Sequence, residues 1–125
     1  MILLLDAHAL LWWLADDPTL QGSARAAIAS PANDVLVSAA TVWEIEIKRA
    51  LGKLDAPDGL VNAIDASAFK ALPISLEDAE RSGRLPQHHR DPFDRMLVAQ
   101  AIRLDAVIVS RDDAFAPYGL DVLPA

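Results

Sequence analysis

Five short apolar runs punctuate the chain, and the segments between them carry apolar residues at helical spacing. The runs lie at residues 2–5, 35–37, 72–74, 107–109 and 122–123. They are continuous rather than alternating with polar residues, which is typical of strands that are buried on both faces. Strands of this kind, separated by helices, predict a three-layer α/β fold in which a central parallel sheet carries helices on both faces.

Helices are predicted between these runs, at residues 7–14, 22–30, 40–54, 57–68 and 77–82, then from Asp94 onward, with a short helical turn at 112–115. In the helix at 40–54, Trp43, Ile47 and Leu54 lie on one face with residue 50 or 51, and we expect that face to contact the core. Glu44 follows Trp43 directly, so its side chain is expected to point about 100° away from that face.

Composition places the chain among compact proteins. Its 125 residues, 53% of them hydrophobic, fit a single domain spanning residues 1–125. No apolar stretch approaches the ~20 residues of a membrane helix, and Met1 to Leu5 lacks the basic start of a signal peptide. The absence of cysteine excludes disulfides and thiolate metal sites. A cytoplasmic location is expected by default.

Four acidic residues occupy the junctions between these elements. Asp6 and Asp112 follow two predicted strands, Glu44 lies on the helix after a third, and Asp94 opens the helix before the strand at 107–109. The carboxyl ends of parallel strands share one edge of a sheet, so we expect these four acids to meet there. Carboxylates repel one another unless a cation holds them, and oxygen ligands suit Mg²⁺ or Mn²⁺.

Each acid also has an ordinary structural interpretation. Asp6 and Asp112 are suitable helix N-caps, and Asp91 followed by Pro92 fits an N-cap and first helical position. Glu44 has a lysine four residues later with which it could pair. Capping alone does not explain why acids recur where Ser, Thr or Asn would cap equally well.

A divalent cation at such a site has an established chemical use. One or two ions can orient and deprotonate water for in-line attack on a phosphodiester, and neutralise charge on the phosphorus and the leaving oxygen. The formal net charge of −7 argues against broad binding to nucleic-acid backbone, unless bound metal reverses the local field. The sequence contains no serine-protease triad, Gly-rich phosphate loop or zinc motif that competes for the role.

The residues around these acids resemble PIN-domain ribonucleases, and most closely VapC-type toxins of bacterial type II toxin–antitoxin pairs. Four blocks carry the resemblance in order: residues 3–12 with Asp6, 42–53 with Glu44, 89–101 with Asp94, and 110–115 with Asp112. The third block is long and specific, and the likeness covers nearly the whole chain.

The resemblance implies a PIN-like fold and an endoribonuclease that depends on Mg²⁺ or Mn²⁺ and leaves 5′-phosphate and 3′-hydroxyl ends. By position it assigns both the catalytic and the metal-binding roles to Asp6, Glu44, Asp94 and Asp112. It also implies an RNA substrate, a small VapB-like antitoxin that covers the site, and a homodimer. Asp94 is preferred to Asp91 because the family's third acid directly precedes the helix that begins with Met96 and Leu97.

Supporting residues are less sharply defined. The resemblance places Ser110 where the family has Thr or Ser. Asp113 is the neighbouring acid that could take the fourth position in place of Asp112. Arg95, like Arg90 and Arg111, could hold substrate phosphate or could be a solvated or acid-paired arginine. We expect the three histidines to lie at the surface or behind the metal ligands. We expect Lys48 to make at best modest contacts with the nucleic-acid backbone.

Two rival functions remain. An aspartyl-phosphate phosphatase would use an aspartate after the first strand, as Asp6 is, but would want another two residues later, where His8 stands. A catalytically weak PIN fold used only for protein binding is the non-enzyme alternative. The presence of all four acids argues against it.

Overall fold

The structure, a computed structural model, describes all 125 residues as five strands, six α-helices and one 3₁₀ helix. The strands are β1 (Ile2–Leu5), β2 (Asp34–Ser38), β3 (Lys70–Leu72), β4 (Val107–Ser110) and β5 (Val122–Pro124). The helices are α1 (Ala7–Leu14), α2 (Gly22–Ala29), α3 (Ala39–Ala50), α4 (Leu60–Ala66), α5 (Leu76–Arg84) and α6 (Pro92–Leu104), and the 3₁₀ helix spans Asp113–Tyr118. None of the helices combines the length and apolarity that a membrane span requires.

The strands form one fully parallel sheet in the order β3-β2-β1-β4-β5. β1 is central, with Leu3 opposite Val35 of β2 and Leu4 opposite Ile108 of β4. Because β1 and β4 are neighbours, the residues that follow them leave the sheet side by side. The predicted parallel α/β sheet is therefore confirmed, and it brings distant parts of the sequence to one edge.

The central strand β1 contributes side chains to a separate hydrophobic core on each face of the sheet. Leu3 and Leu5 pack into one cluster with Leu10 of α1, whereas Leu4 packs into the other with Leu97 of α6. The three β1 leucines are fully buried. Burial on both faces is why β1 is continuously apolar, and it confirms the prediction of helices on both faces.

The predicted core face of α3 is wrong. Trp43 is 60% exposed and Leu51 63% exposed, while Glu44 and Ile45 are buried. Helical spacing identifies residues that share a face, but it does not say which side of the sheet that face turns towards. The inward side of α3 carries Ala40, Thr41 and Ile45 instead, and this orientation places Glu44 inside the molecule.

Several element boundaries also differ from the sequence-based ones. β3 covers Lys70–Leu72 rather than 72–74, α3 ends at Ala50, and α4 begins at Leu60 rather than at residue 57. Gly52 and Gly59 adopt positive φ angles of 70° and 68°, which most other residues avoid, and they fall in the segment between the two helices. The apolar periodicity alone predicts longer helices on both sides of this segment, and the two glycines lie where the helical backbone is interrupted.

A buried acid joins α5 to α6. The Asp78 carboxylate accepts hydrogen bonds from Arg103 Nε at 2.6 Å and Nη2 at 3.0 Å. It also completes a capping box with Ser75 at the start of α5. One carboxylate therefore stabilises a helix end and the contact between two helices.

We expect Asp78→Ala to lower the free energy of unfolding by about 3 kcal/mol, because it removes the cap and leaves a half-buried guanidinium without its partner. Thermal and urea unfolding measure the loss. Glu77→Ala is the matched control, since Glu77 is an exposed acid in the same helical turn. Equal stability losses in the two variants would contradict the assigned role of Asp78.

The same ion pair makes stability depend on pH. Burial raises the pKa of Asp78, but hydrogen bonds from Arg103 and Ser75 outweigh it and hold that pKa below its ordinary value. The stabilisation is therefore complete above the unfolded-state pKa of about 4 and is lost as the pH falls through the folded-state pKa. The wild type should therefore lose this stabilisation as the pH falls below about 4, whereas Asp78→Ala has none to lose. Unfolding free energies of the two proteins, measured across that pH range, test the difference.

Candidate metal centre

The four acids singled out from the sequence line one open cavity of about 490 Å³ at the carboxyl edge of the sheet. Its walls come from α1, α3, the start of α6 and the segment after β4. The lining residues are Asp6, Ala7, His8, Trp12, Glu44, Lys48, His89, Asp91, Asp94, Arg111 and Asp112. The expected meeting of these acids at the sheet edge is present in the structure, and their role as metal ligands stays a prediction.

Asp6 is placed by the junction of β1 and α1. Its backbone N–H donates to the Val109 carbonyl at 3.1 Å, which extends the β1–β4 pairing by one residue. Its Oδ1 accepts from the Ala9 N–H at 2.9 Å and caps α1, while Oδ2 accepts from the Ser110 hydroxyl at 2.5 Å. Burial raises the pKa of Asp6, and the Ser110 hydrogen bond opposes that rise.

Ser110 joins two of the acidic segments. Besides donating to Asp6, its hydroxyl oxygen accepts from the Asp112 N–H at 2.9 Å. The Asp112 carboxylate caps the 3₁₀ helix by accepting from the Ala114 N–H at 2.9 Å. Asp112 lines the cavity and Asp113 does not, so the geometry favours Asp112 as the fourth acid.

Glu44 enters the cavity from α3, with only 8% of its side chain exposed. Lys48, one turn later, brings its Nζ to 2.8 Å from Glu44 Oε2. The expected pairing at i,i+4 is therefore present, but Lys48 also lines the acidic cavity, which the sequence interpretation did not foresee. The hydrogen bond to Glu44 raises the pKa of Lys48, and the charges of Asp91 and Asp94 add to the rise.

Asp94 opens α6 beside a second acid that has a separate task. Asp91 is the N-cap and accepts from the N–H groups of Phe93 and Asp94, as predicted from its position before Pro92. Burial raises the pKa of Asp94 to about 7, and the neighbouring carboxylates of Asp91 and Glu44 reinforce the shift. The folded chain therefore resists placing a further negative charge at this position.

His89 approaches Asp94 from the segment before α6. Its Nε2 lies 2.8 Å from Asp94 Oδ2, while its Nδ1 accepts from the Asp91 N–H at 3.2 Å. The second contact places the ring proton of a neutral His89 on Nε2. Nε2 is buried and makes no aligned hydrogen bond, because the ring N–H does not point along the short line to Oδ2.

Arg95 shapes the segment that carries His89. Its guanidinium donates to the carbonyl oxygens of four residues at 2.8–3.2 Å. These acceptors are Ser82, Leu85, Pro86 and His89. Arg95 is only 7% exposed and does not line the cavity, so it supports the site by fixing this segment rather than by holding substrate phosphate.

Arg111 forms the opposite rim of the cavity. Its guanidinium carbon lies 4.5 Å from the centre of the Trp12 ring, a cation–π arrangement. Its Nη2 donates to the carbonyl oxygens of Thr19 at 2.6 Å and Ala125 at 2.7 Å. Trp12 thus faces the cavity, while Trp13 packs against Phe69, and both indoles are half-buried.

The donor set fits a hard divalent cation. The carboxylate oxygens outnumber the cationic groups of the cavity, and the charges of Asp91 and Glu44 add to the burial that raises the pKa of Asp94. Donor-type atoms of His89, Asp94 and Asp112 all lie within 4.8 Å of one another, and Asp6 and Glu44 line the same cavity outside this close group. With the His89 proton on Nε2 and Nδ1 engaged by the Asp91 N–H, the lone pairs for a cation come from the carboxylates rather than from the imidazole. Carboxylate-rich sites of this kind suit Mg²⁺ or Mn²⁺.

Sequence reasoning missed the places of Lys48 and His89. Lys48 could have been found from the residue spacing, because a lysine one turn after a buried acid follows that acid to the same side of the helix. His89 offers no comparable signal, since its position depends on the fold of the segment that Arg95 holds. The expectation that the histidines lie at the surface or behind the ligands agrees with the position of His89, but the sequence did not indicate that Asp94 is the acid that it contacts.

The fold is shared with known proteins. The PIN domain family model matches residues 3–119. Among curated protein sequences, none matches significantly. A chain in the crystal structure of VapBC2 from Rickettsia felis bound to promoter DNA aligns with a TM-score of 0.71 at 15% identity, covering 98% of both chains.

Two further solved structures give the same result. A chain of DNA-bound VapBC from Salmonella typhimurium aligns with a TM-score of 0.69 at 16% identity, covering 98% of this chain and 97% of that one. A chain of a toxin–antitoxin complex from Klebsiella pneumoniae aligns with a TM-score of 0.63 at 22% identity, covering 97% and 95%. These likenesses concern the fold. With the family model matching residues 3–119, nearly the whole sequence, the chain belongs to the PIN domain family.

Proposed function

We propose that this protein is a Mg²⁺- or Mn²⁺-dependent endoribonuclease and the toxin of a type II toxin–antitoxin pair. The observation that carries the proposal is the convergence of Asp6, Glu44, Asp94 and Asp112 on one open cavity within a PIN fold. Each of the four comes from a different segment of the chain. Helix capping alone does not require all of them to face the same space.

The four carboxylates would hold the metal ion, which when bound supplies Lewis-acid polarisation and lowers the pKa of a water molecule. The remaining work falls to the protein. Ser110 fixes the orientation of the Asp6 carboxylate and links it to the Asp112 backbone. His89 contacts one oxygen of Asp94, which leaves the other oxygen available to a ligand. The protein thus presents its acids in fixed positions before substrate arrives.

An RNA chain would reach the site through the open mouth of the cavity. The rim includes cationic and aromatic groups, namely Arg111, Trp12 and the exposed His8, alongside the acids. A guanidinium can contact phosphate, and an indole can stack on a base. Since the net charge is −7, these few local contacts and the bound metal, rather than a broad basic surface, would attract the substrate.

Partners follow from the structural neighbours. Several of them are chains from structures of VapBC or other toxin–antitoxin complexes, so we propose a VapB-like antitoxin for this chain. We also propose that the chain forms one domain over residues 1–125 and dimerises. Exposed apolar residues on and directly after α3, including Trp43 and Leu51, support a protein contact there. A ribonuclease toxin of this kind would act in the cytoplasm.

We expect Asp6→Asn and Asp94→Asn each to reduce RNA cleavage by at least about 100-fold, because each removes a charged ligand of the metal. Cleavage of a labelled RNA mixture in Mg²⁺ or Mn²⁺ measures the effect, and EDTA should abolish it in the wild type. Asp113→Asn is the matched control, as its exposed carboxylate lies outside the cavity.

Circular dichroism would verify that these variants remain folded. Cleavage that persists in EDTA would exclude the metal mechanism. A folded wild-type protein that binds a partner tightly but cleaves no RNA with either metal would instead support the non-enzymatic interpretation of the fold.

A second prediction concerns the stability of the metal-free protein. Because the pKa of Asp94 is raised to about 7, the folded state binds its proton more tightly than the unfolded state does. Stability should therefore fall as the pH rises from about 4 to about 8, the direction opposite to that for Asp78. Asp94→Asn should reduce this fall, and thermal melts in EDTA at several pH values measure it. An identical pH dependence in the two proteins would contradict the proposed crowding of charge around Asp94.

A further inference from the structure

Lys48 is the one lysine whose ammonium group contacts the acidic cavity. It lies on the turn of α3 after Glu44, and its Nζ is 2.8 Å from Glu44 Oε2. Its side chain is 41% exposed, while that of Glu44 is 8% exposed. The ammonium therefore stands between the buried acid and the open mouth, where it can be reached from solvent.

This arrangement differs from an ordinary surface ion pair on a helix. The next residue, Arg49, makes such pairs on another side of α3, with Glu46 at 3.3 Å and Asp58 at 2.6 Å. Lys48 instead pairs with a buried carboxylate and faces Asp91 and Asp94 across the cavity, at the start of α6. Its charge thus acts on acids from two elements.

The other positive groups of the cavity are already engaged. The Arg111 guanidinium bonds main-chain oxygens of Thr19 and Ala125 and stacks on Trp12. His89 is held between the Asp91 N–H and Asp94. The Lys48 ammonium is consequently the positive group that is best placed to interact with the carboxylates alongside a bound metal ion.

We propose that Lys48 acts as the second cation of this site, so that the carboxylates take up a single divalent ion instead of a pair. This inference rests on the proposed metal-dependent function. A protonated ammonium 2.8 Å from Glu44 offsets negative charge on the α3 side of the cavity, leaving the ion to Asp6, Asp94 and Asp112 with Glu44 shared. In this role the lysine exchanges no proton with substrate, and its contribution is the positive charge that it places beside Glu44.

The decisive experiment counts Mn²⁺ ions bound to the full-length protein without RNA, using electron paramagnetic resonance and calorimetry. We expect one ion per wild-type chain. Lys48→Met should bind Mn²⁺ about ten-fold more tightly and gain a second, weaker site, since removing a positive charge leaves the carboxylates less compensated. Lys48→Arg should keep one ion, and Lys53→Met is the control for loss of a lysine outside the cavity.

Cleavage should change in the opposite direction. We expect Lys48→Met to lower kcat by about 100-fold while Mn²⁺ binds more tightly, and Lys48→Arg to retain most of the activity. A lysine that merely held Glu44 in place would give weaker Mn²⁺ binding in Lys48→Met, and that result would overturn the proposal. Two Mn²⁺ ions on the wild-type chain would overturn it as well.

The binding and cleavage measurements separate this inference from the proposed function. If the wild type binds one Mn²⁺ ion and Lys48→Met binds two, but neither cleaves RNA, the nuclease function fails and the charge role of Lys48 stands. If the wild type cleaves RNA and Lys48→Met matches it in both cleavage and Mn²⁺ stoichiometry, the nuclease function stands and the role of Lys48 fails.

Discussion

The confinement of several carboxylates at one edge of a parallel sheet is the constraint on which the rest of this structure depends. Strand β1 is central and β4 is its neighbour, so Asp6 and Asp112 emerge on the same side. Glu44 arrives on α3, which packs on β2 at the other side of β1, and Asp94 arrives on α6, which packs on β1 and β4. Burying these charges together costs free energy: burial, reinforced by the neighbouring carboxylates of Asp91 and Glu44, raises the pKa of Asp94 to about 7.

Helix ends and a few polar side chains offset part of that cost. Asp6, Asp91 and Asp112 each cap a helix, so backbone N–H groups and the helix dipole stabilise their charge. Ser110 donates to Asp6, and Lys48 pairs with Glu44. Capping and cation binding are therefore compatible roles for the same carboxylate, because one oxygen can accept from the backbone while the other faces the cavity.

Arg95 contributes from behind the site. A buried guanidinium normally requires an acidic partner, yet this one is satisfied by four main-chain carbonyls of the segment before α6. That segment positions His89 beside Asp94 and continues into Asp91, the N-cap of α6. The residue next to a proposed metal ligand thus orders the chain around it, although it never reaches the cavity.

The sequence by itself determined the parallel α/β class, the order of most elements and the four acids, because continuous apolar runs report burial on both faces and acids at strand ends report the sheet edge. Only the tertiary structure decided the orientation of α3, which turned Trp43 outward and Glu44 inward. Periodicity defines a helical face relative to its own axis, whereas packing against the sheet decides where that face points. For the same reason the approach of His89 to Asp94, set by contacts between segments of irregular backbone, left no pattern in the sequence.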